Sequence, residues 1–172
     1  MTVKAILPFG DPVLRKKAKP VTEFNARLAR VLDDLRETLY AEEGRAGLAA
    51  PQIGILRRVA VLDCGSGLIE LINPEIVERR GEQTGPEACL SFPGYYGPVK
   101  RAAYVKVRTM DRSGAERLIE AEDYVARCMQ HEIDHLDGVL FIDHVKEPVL
   151  RHEHTGQTVR LLDVIALSNR NL

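Results

Sequence analysis

Residues 130–135 have the sequence Gln-His-Glu-Ile-Asp-His, which places two histidines four positions apart and a glutamate directly after the first. Residues four apart on an α-helix lie on the same face, so His131 and His135 can bind one metal ion together. Glu132 lies about 100° further round such a helix, where its carboxylate can flank an open coordination position. This spacing is typical of a metal-dependent hydrolase.

The residues around this motif predict a helix with one apolar face and one chemically active face. The apolar stripe contains Val125, Met129, Ile133 and Leu136. The neighbouring stripe contains Cys128, His131, Glu132 and His135. Residues at this spacing share a helix face, and Gly138 indicates where the helix ends. We therefore expect the helix to pack on a core and to line a pocket.

Length and composition favour one catalytic domain spanning residues 1–172. The net charge of -1 gives no signature of nucleic-acid binding, and three cysteines are too few for a disulfide framework. The sequence contains no apolar stretch long enough for a signal peptide or a membrane span. We therefore expect a cytoplasmic protein with reduced thiols. The pattern in the tail, residues 146–172, predicts no definite structure.

The remaining patterns predict an α+β fold in which short antiparallel strands pack around the central motif helix. A second amphipathic helix is expected near the N-terminus at residues 28–39, with Asn25 as its N-cap. Strands are expected at residues 59–62, 68–72, 104–110 and 116–121. We also expect Asn73-Pro74 to end the second strand, a polar edge strand at 76–83, and a strand or extended segment at 139–142.

A catalytic site of this kind needs a third protein ligand beside the two histidines. The candidates are a carboxylate, Cys64, Cys89, Cys128, His144, His152 and His154. Cys89 is the best placed, because it lies in a segment of turn-forming residues at 86–94. Cys128 is more simply explained as a small buried side chain. A Gly/Ala/Pro-rich loop at 44–54 carries Gln52, whose amide can donate to an oxyanion.

Three segments together resemble the peptide deformylase family. They are a G-x-G-L-A-A-P-Q-like loop at residues 45–52, an E-G-C-L-S-like loop at 87–91, and Q-H-E-x-D-H at 130–135. The resemblance covers roughly residues 5–145. Two positions depart from the family pattern. Ala88 replaces a glycine and adds a methyl group beside the substrate channel, while Arg45 replaces a glycine and is expected to place a charge where substrate enters.

The resemblance implies a metal centre held by Cys89, His131 and His135. It also implies a ferrous ion in cells, with zinc, nickel or cobalt able to use the same ligands. Glu132 would act as general base and acid while a metal-activated hydroxide attacks the formyl carbon of an N-terminal formylmethionine, which releases formate. The Gln52 side chain and the Leu90 backbone N–H would stabilise the oxyanion.

The implied substrate is an N-formylmethionyl peptide from a newly synthesised chain, which the enzyme could meet at the ribosome exit. The peptide would lie extended along Gly47 and the loop near Gly94. The candidates for the wall of the methionine pocket are Leu90, Tyr124, Arg127 and Cys128, with the Arg127 guanidinium turned to solvent. Glu87 is expected to form an ion pair with Arg101 that holds the cysteine loop.

Three other interpretations are compatible with the motif. The first is a zinc endopeptidase of the H-E-x-x-H type, although many of these use a downstream His or Glu as third ligand instead of a cysteine. The second is a non-catalytic relative that binds N-terminal peptides, suggested by Arg45 and Ala88. The third is a purely structural metal site, which Glu132 and Gln52 make less favourable.

Overall fold

The computed structural model describes residues 2–169 and confirms the α+β fold. Its α-helices are α1 (Ala26–Tyr40), α2 (Asp123–Leu136) and α3 (Leu161–Ser168). Its strands are β1 (Gly47–Ala49), β2 (Val59–Leu62), β3 (Ile69–Arg80), β4 (Gln83–Cys89), β5 (Phe92–Arg101), β6 (Tyr104–Met110), β7 (Glu116–Glu122), β8 (Val149–His152) and β9 (Thr158–Arg160). Short 3-10 helices occur at Pro12–Arg15, Ala50–Ile53 and Phe141–Asp143.

The strands form two antiparallel sheets. One has the strand order β1-β2-β3-β6-β7, and the other has the order β4-β5-β8-β9. The apolar face of α2 packs on the five-stranded sheet, with Met129 and Ile133 in one buried cluster with Leu71 and Val107. Cys89 on β4 reaches the opposite, polar face of α2, near His135. The motif helix is therefore central, as the sequence predicts.

Strand β2 explains how two helices are held on one sheet. Its four residues are fully buried, and successive side chains point to opposite faces. Ala60 and Leu62 pack with residues of α2, whereas Val59 and Val61 pack with residues of α1. The Asn25 carboxamide oxygen accepts hydrogen bonds from the first turn of α1, which confirms its predicted role as N-cap.

The prediction that Asn73-Pro74 ends a strand is wrong. Strand β3 passes through this pair and continues to Arg80, with a register shift between Ile72 and Glu75 where it pairs with β6. Asn73 has a φ of 51°, and its side chain exchanges hydrogen bonds of 2.7 and 2.9 Å with the backbone of Val21. The dipeptide therefore forms a bulge within the strand. The expected polar strand at 76–83 is divided between β3 and β4.

Two further local predictions are wrong. Residues 86–94 were expected to form a loop of turn-forming residues, but they belong to a β4–β5 hairpin in which Cys89 pairs with Phe92. The apolar run at 139–142 leads into a 3-10 helix, because Gly138 turns the chain with a φ of 72°. The carbonyl oxygen of Arg15 lies 2.5 Å from the place where a Cβ of residue 138 would stand, so only glycine fits there.

The tail contains β8, β9 and α3, and its last residues, 170–172, lie outside the described part of the chain. Leu150 and Leu161 are buried in a cluster with Phe9. Arg15 connects the N-terminal segment with helix α3. Its guanidinium donates to the Asp143 carboxylate at 2.6 and 2.9 Å and to the Ser168 hydroxyl at 2.9 Å. Within residues 2–169, no helix is long and apolar enough to cross a membrane.

Candidate metal centre

The polar face of α2 and the end of β4 bring three metal-ligating side chains together. Ligand atoms of Cys89, His131 and His135 all lie within 4.8 Å of one another, and all three residues are buried. The Cys89 Sγ atom lies 3.4 Å from His135 Nε2. In the part of the chain that the structure describes, no other group of three His, Cys, Asp or Glu residues meets this geometry. The alternative ligands His144, His152, His154, Cys64 and Cys128 lie outside it.

Glu132 stands beside this group in an enclosed environment. Its side chain packs so closely on β1 that a Cβ at Gly47 would lie 2.6 Å from Glu132 Oε1. Its other oxygen is buried and accepts no hydrogen bond from any of residues 2–169. Burial raises the pKa of Glu132 to about 7. A carboxylate in this state can exchange protons near neutral pH.

The chemistry of the three donors fits a transition-metal cation. A thiolate and two imidazoles suit zinc and iron alike. Glu87 Oε1 lies 2.7 Å from His131 Nδ1. Because a carboxylate only accepts, Nδ1 carries the proton and Nε2 is left for the metal. Burial lowers the pKa of His135 well below its usual value, which keeps this imidazole in the neutral form that ligates.

The surroundings of His131 differ from those of His135. Burial opposes a charge on His131, but its hydrogen bonds to Cys89 and Glu87 raise its pKa well above the usual value. A cation binds a thiolate and neutral imidazoles, so protons held by these groups must leave when it binds. Metal binding at the site consequently releases protons and becomes stronger as the pH rises.

Glu87 is the centre of a buried ionic network. Its two oxygens accept from Arg101 at 2.8 Å each, so the predicted ion pair is present. Burial alone would raise the pKa of Glu87, but the hydrogen bonds from Arg101 and His131 hold it well below its usual range. Arg101 also donates to Asp134, which lies within the motif. Asp134 has no role predicted from the sequence, although it lies between His131 and His135 in the motif.

Arg127 does not turn its guanidinium to solvent, so that expectation is wrong. The residue is only 5% exposed, and its Nη1 atom donates to Glu87 at 2.7 Å and to the Val99 carbonyl at 3.0 Å. The reason is that Glu87 is a buried carboxylate whose oxygens can accept more hydrogen bonds than Arg101 supplies.

Gln52 is buried next to Cys89, and hydrogen bonds hold both the oxygen and the nitrogen of its side-chain amide. Its Oε1 atom accepts from the Ala49 backbone N–H at 3.0 Å, which orients the amide so that the NH₂ group faces the site. This group donates to the Ser91 hydroxyl at 3.1 Å and lies 3.5 Å from Cys89 Sγ. The contact of Ser91 with Gln52 was not predicted from the sequence. The position of Ser91 in the motif at 87–91 was the available signal. The amide is placed to donate to an oxygen atom beside Cys89.

A cleft of about 630 Å³ opens onto this centre. It is lined by every substrate-binding residue expected from the sequence, namely Gly47, Glu87, Leu90, Gly94, Tyr124, Arg127 and Cys128. The hydrogen bond that the Cys128 thiol donates to Cys64 and burial both raise the pKa of Cys128, so its thiol stays neutral as part of the wall. Glu153 also lines the cleft and was not expected.

The two departures from the family pattern have different positions. Ala88 lines the cleft as expected. Arg45 does not place its charge there, because its guanidinium donates to the Thr38 carbonyl near the end of α1 and lies 3.2 Å from Glu42. Helix α1 has no basic residue in its last turn, and Arg45 supplies a cation to these carbonyls instead.

Comparison with known proteins gives consistent matches. The family model described as polypeptide deformylase matches residues 3–150. A peptide deformylase of Caldanaerobacter subterraneus is 59% identical over 145 residues, which cover 84% of this chain and 91% of the relative. The peptide deformylase structure from Thermotoga maritima has 44% identity and a TM-score of 0.82, covering 86% of this chain and 100% of that one. The Legionella pneumophila structure has 43% identity and a TM-score of 0.80, covering 84% and 87%.

Proposed function

Because the chain belongs to the polypeptide deformylase family, whose metalloenzymes hydrolyse the formyl group of N-formyl peptides, we propose a role for each residue of the centre. Cys89, His131 and His135 hold the metal, which we propose to be Fe²⁺ in cells, with Zn²⁺, Ni²⁺ or Co²⁺ as substitutes. When bound, such a cation lowers the pKa of water and polarises a carbonyl group. Residues 1–172 act as one catalytic domain.

Glu132 is the proton carrier in this proposal. Its carboxylate accepts a proton from the attacking water as the water oxygen bonds to the formyl carbon. The same group then donates that proton to the amine nitrogen as the C–N bond breaks, which yields formate and a free N-terminus. A buried carboxyl group with a pKa of about 7 suits both transfers.

Gln52 and Leu90 stabilise the charge that develops on the formyl oxygen. The Gln52 amide is held by Ala49 and Ser91, so it needs no reorganisation when the charge appears. The Leu90 backbone N–H, one residue after Cys89, supplies the second donor. A fixed donor of this kind is typically worth about 3 to 4 kcal/mol in the transition state.

The cleft accepts an extended formylmethionyl peptide. Strand β1 is an edge strand of its sheet. The backbone around Gly47 therefore offers a sheet edge for strand addition beside Glu132. Tyr124 and Cys128 form part of the wall for the methionine side chain. Newly synthesised chains carry such formyl groups, and we therefore propose action in the cytoplasm, with the ribosome exit as one place of encounter.

The observation that carries the proposal is the buried group of three ligand atoms beside Glu132. The test is formate release from formyl-Met-Ala-Ser by protein loaded with Fe²⁺ under anaerobic conditions. We expect one formate per peptide, and loss of activity after chelation. Absence of formate from fully metallated protein would contradict the proposal, and casein cleavage in its place would favour the endopeptidase interpretation.

The ligand assignment has a matched control within the chain. Cys89→Ser should lower metal content and activity together, whereas Cys64→Ser changes a thiol outside the ligand group and should leave both unchanged. Metal analysis of anaerobically purified protein, followed by activity after reconstitution with each of the four metals, tests the assignment of iron. Higher activity with zinc than with iron would contradict that assignment.

A further inference from the structure

Glu153 lines the rim of the cleft and comes from outside the family match, which ends at residue 150. It follows β8 directly, and its backbone N–H donates to the Gly94 carbonyl at 2.8 Å. The tail therefore contributes a charged residue to the same cavity that contains the metal centre.

The backbone around Glu153 is well fixed. Strand β8 pairs with β5 through Tyr95 opposite His152 and Tyr96 opposite Arg151. The His152 ring packs edge-on against Tyr95 and occupies the space above Gly94, where a Cβ would lie only 2.7 Å from His152 Nε2. His152 Nδ1 also accepts from two backbone N–H groups of the following turn, at 3.2 Å each. The carboxylate is thus presented from a defined position.

Glu153 differs in its surroundings from the other charged residues that line the cleft. Glu132 is buried, and Glu87 and Arg127 are buried and bound to each other. The Glu153 side chain is 52% exposed and pairs at 3.2 Å with His154, which is itself 80% exposed. A peptide in the cleft therefore meets this carboxylate in contact with water, where a cationic side chain can approach it.

The distance along the hairpin limits which part of the peptide reaches Glu153. Cys89 pairs with Phe92 across the turn, which places their Cα atoms about 5.5 Å apart, and Gly94 lies two residues further, so the Cα atoms of Cys89 and Gly94 are at most about 13 Å apart. An extended peptide advances about 3.3 Å per residue. With its formyl group at the metal centre, the residues after the methionine, positions two to four, extend along this length.

We propose that Glu153 is a specificity-determining residue that favours a lysine or arginine side chain downstream of the formylmethionine. This inference rests on the proposed deformylase function. Exposed ion pairs strengthen binding by only about 1.4-fold to fivefold, so Glu153 tunes substrate choice and leaves the chemical step unchanged. Arg151, two residues before Glu153, is not among the residues that line the cleft.

The test compares formyl-Met tetrapeptides that carry one lysine or one glutamate at position two, three or four, with alanine elsewhere. For the unmodified enzyme we expect kcat/KM to favour lysine by about twofold to tenfold at one or more of these positions, through KM. Glu153→Gln should bring that ratio close to one, and Glu153→Lys should invert it. High ionic strength should reduce the preference, because the pair is exposed.

The matched control is Glu116→Gln, which removes the same charge from an exposed position on β7 and should leave the ratio unchanged. The peptide formyl-Met-Ala-Ala-Ala, which has no charged side chain, separates the two proposals. If no enzyme releases formate from it, the proposed function fails. If all release formate but Glu153→Gln keeps the unmodified lysine preference, or the unmodified enzyme shows none, the assignment of Glu153 is overturned.

Discussion

Two glutamates of the same cleft, Glu87 and Glu153, occupy opposite environments. Glu87 is buried, accepts from Arg101, Arg127 and His131, and has a pKa held well below its usual range. Glu153 stands in water at the rim, with the exposed His154 ring 3.2 Å away. The difference separates two environments for a carboxylate. The buried one orients the His131 ring, and the exposed one is the one that we propose contacts the substrate.

The buried end of the cleft should respond to substitution far more strongly than the rim. Glu132→Gln is expected to show the largest effect, a loss of about 10³ to 10⁴-fold in kcat, because the amide cannot carry the proton. Metal content should not change, since Glu132 is not among the three ligands. Stopped-time formate assays combined with metal analysis measure both quantities. Retained turnover in a fully metallated variant would remove Glu132 from its role.

Glu87→Gln should lower the free energy of unfolding much more than Glu153→Gln does. The substitution removes the charge that compensates Arg101 and Arg127, and loss of one partner from a buried ion pair costs about 3 to 5 kcal/mol. Glu153→Gln, with one exposed partner, should change the free energy of unfolding by less than about 1 kcal/mol. Urea unfolding of the metal-free proteins compares the two. Equal effects at the two sites would show that the buried network contributes no special stability.

The pH dependence of this stability follows from the lowered pKa of Glu87. In the unfolded chain the group titrates near its ordinary value of 4.5, whereas in the fold it stays ionised to lower pH. Its contribution is therefore complete above about pH 4.5 and is lost as the pH falls through the folded-state pKa. Between pH 6 and pH 3 the unmodified protein should lose more unfolding free energy than Glu87→Gln. A parallel decline in both proteins would contradict this account.

Gln52→Ala should have a smaller effect on catalysis, about 10² to 10³-fold in kcat, because one oxyanion donor is removed. Ser91→Ala is the matched control, since it deletes only the hydroxyl that accepts from the Gln52 amide. Because Ala49 still holds the other end of the amide, the Ser91 variant should retain more activity than Gln52→Ala. Full activity in Gln52→Ala would contradict the oxyanion role.

The sequence alone predicts the part of the site whose residues lie close together in the chain. His131, Glu132 and His135 lie within five residues on one helix, so helical geometry alone predicts their common position. Cys89 and Gln52 were candidates from their loops, the family resemblance supported them, and the structure brings them close to the motif helix or to each other. Their proximity was predictable because each lies in a short motif with restricted chemistry.

The predictions that failed depend on partners far apart in the sequence. Arg127 turns inward because Glu87, 40 residues earlier, needs another donor. Asn73 continues a strand because Val21, 52 residues earlier, satisfies its side chain. Arg45 donates a hydrogen bond to the Thr38 carbonyl near the end of α1. Glu153 lies at the cleft because β8, the strand before it, pairs with β5. Periodicity and composition carry no information about such pairings.

The contacts of Arg15 also have a consequence for the time at which the protein can complete its own structure. Its guanidinium binds Ser168, 153 positions later, together with Asp143. Since a ribosome releases a chain from its N-terminus, Arg15 emerges first, and its contact with Ser168 can form only after residues 16–168 have been translated. The segment around Arg15 is therefore fastened to helix α3 later than the contacts among strands β1 to β9 can first form.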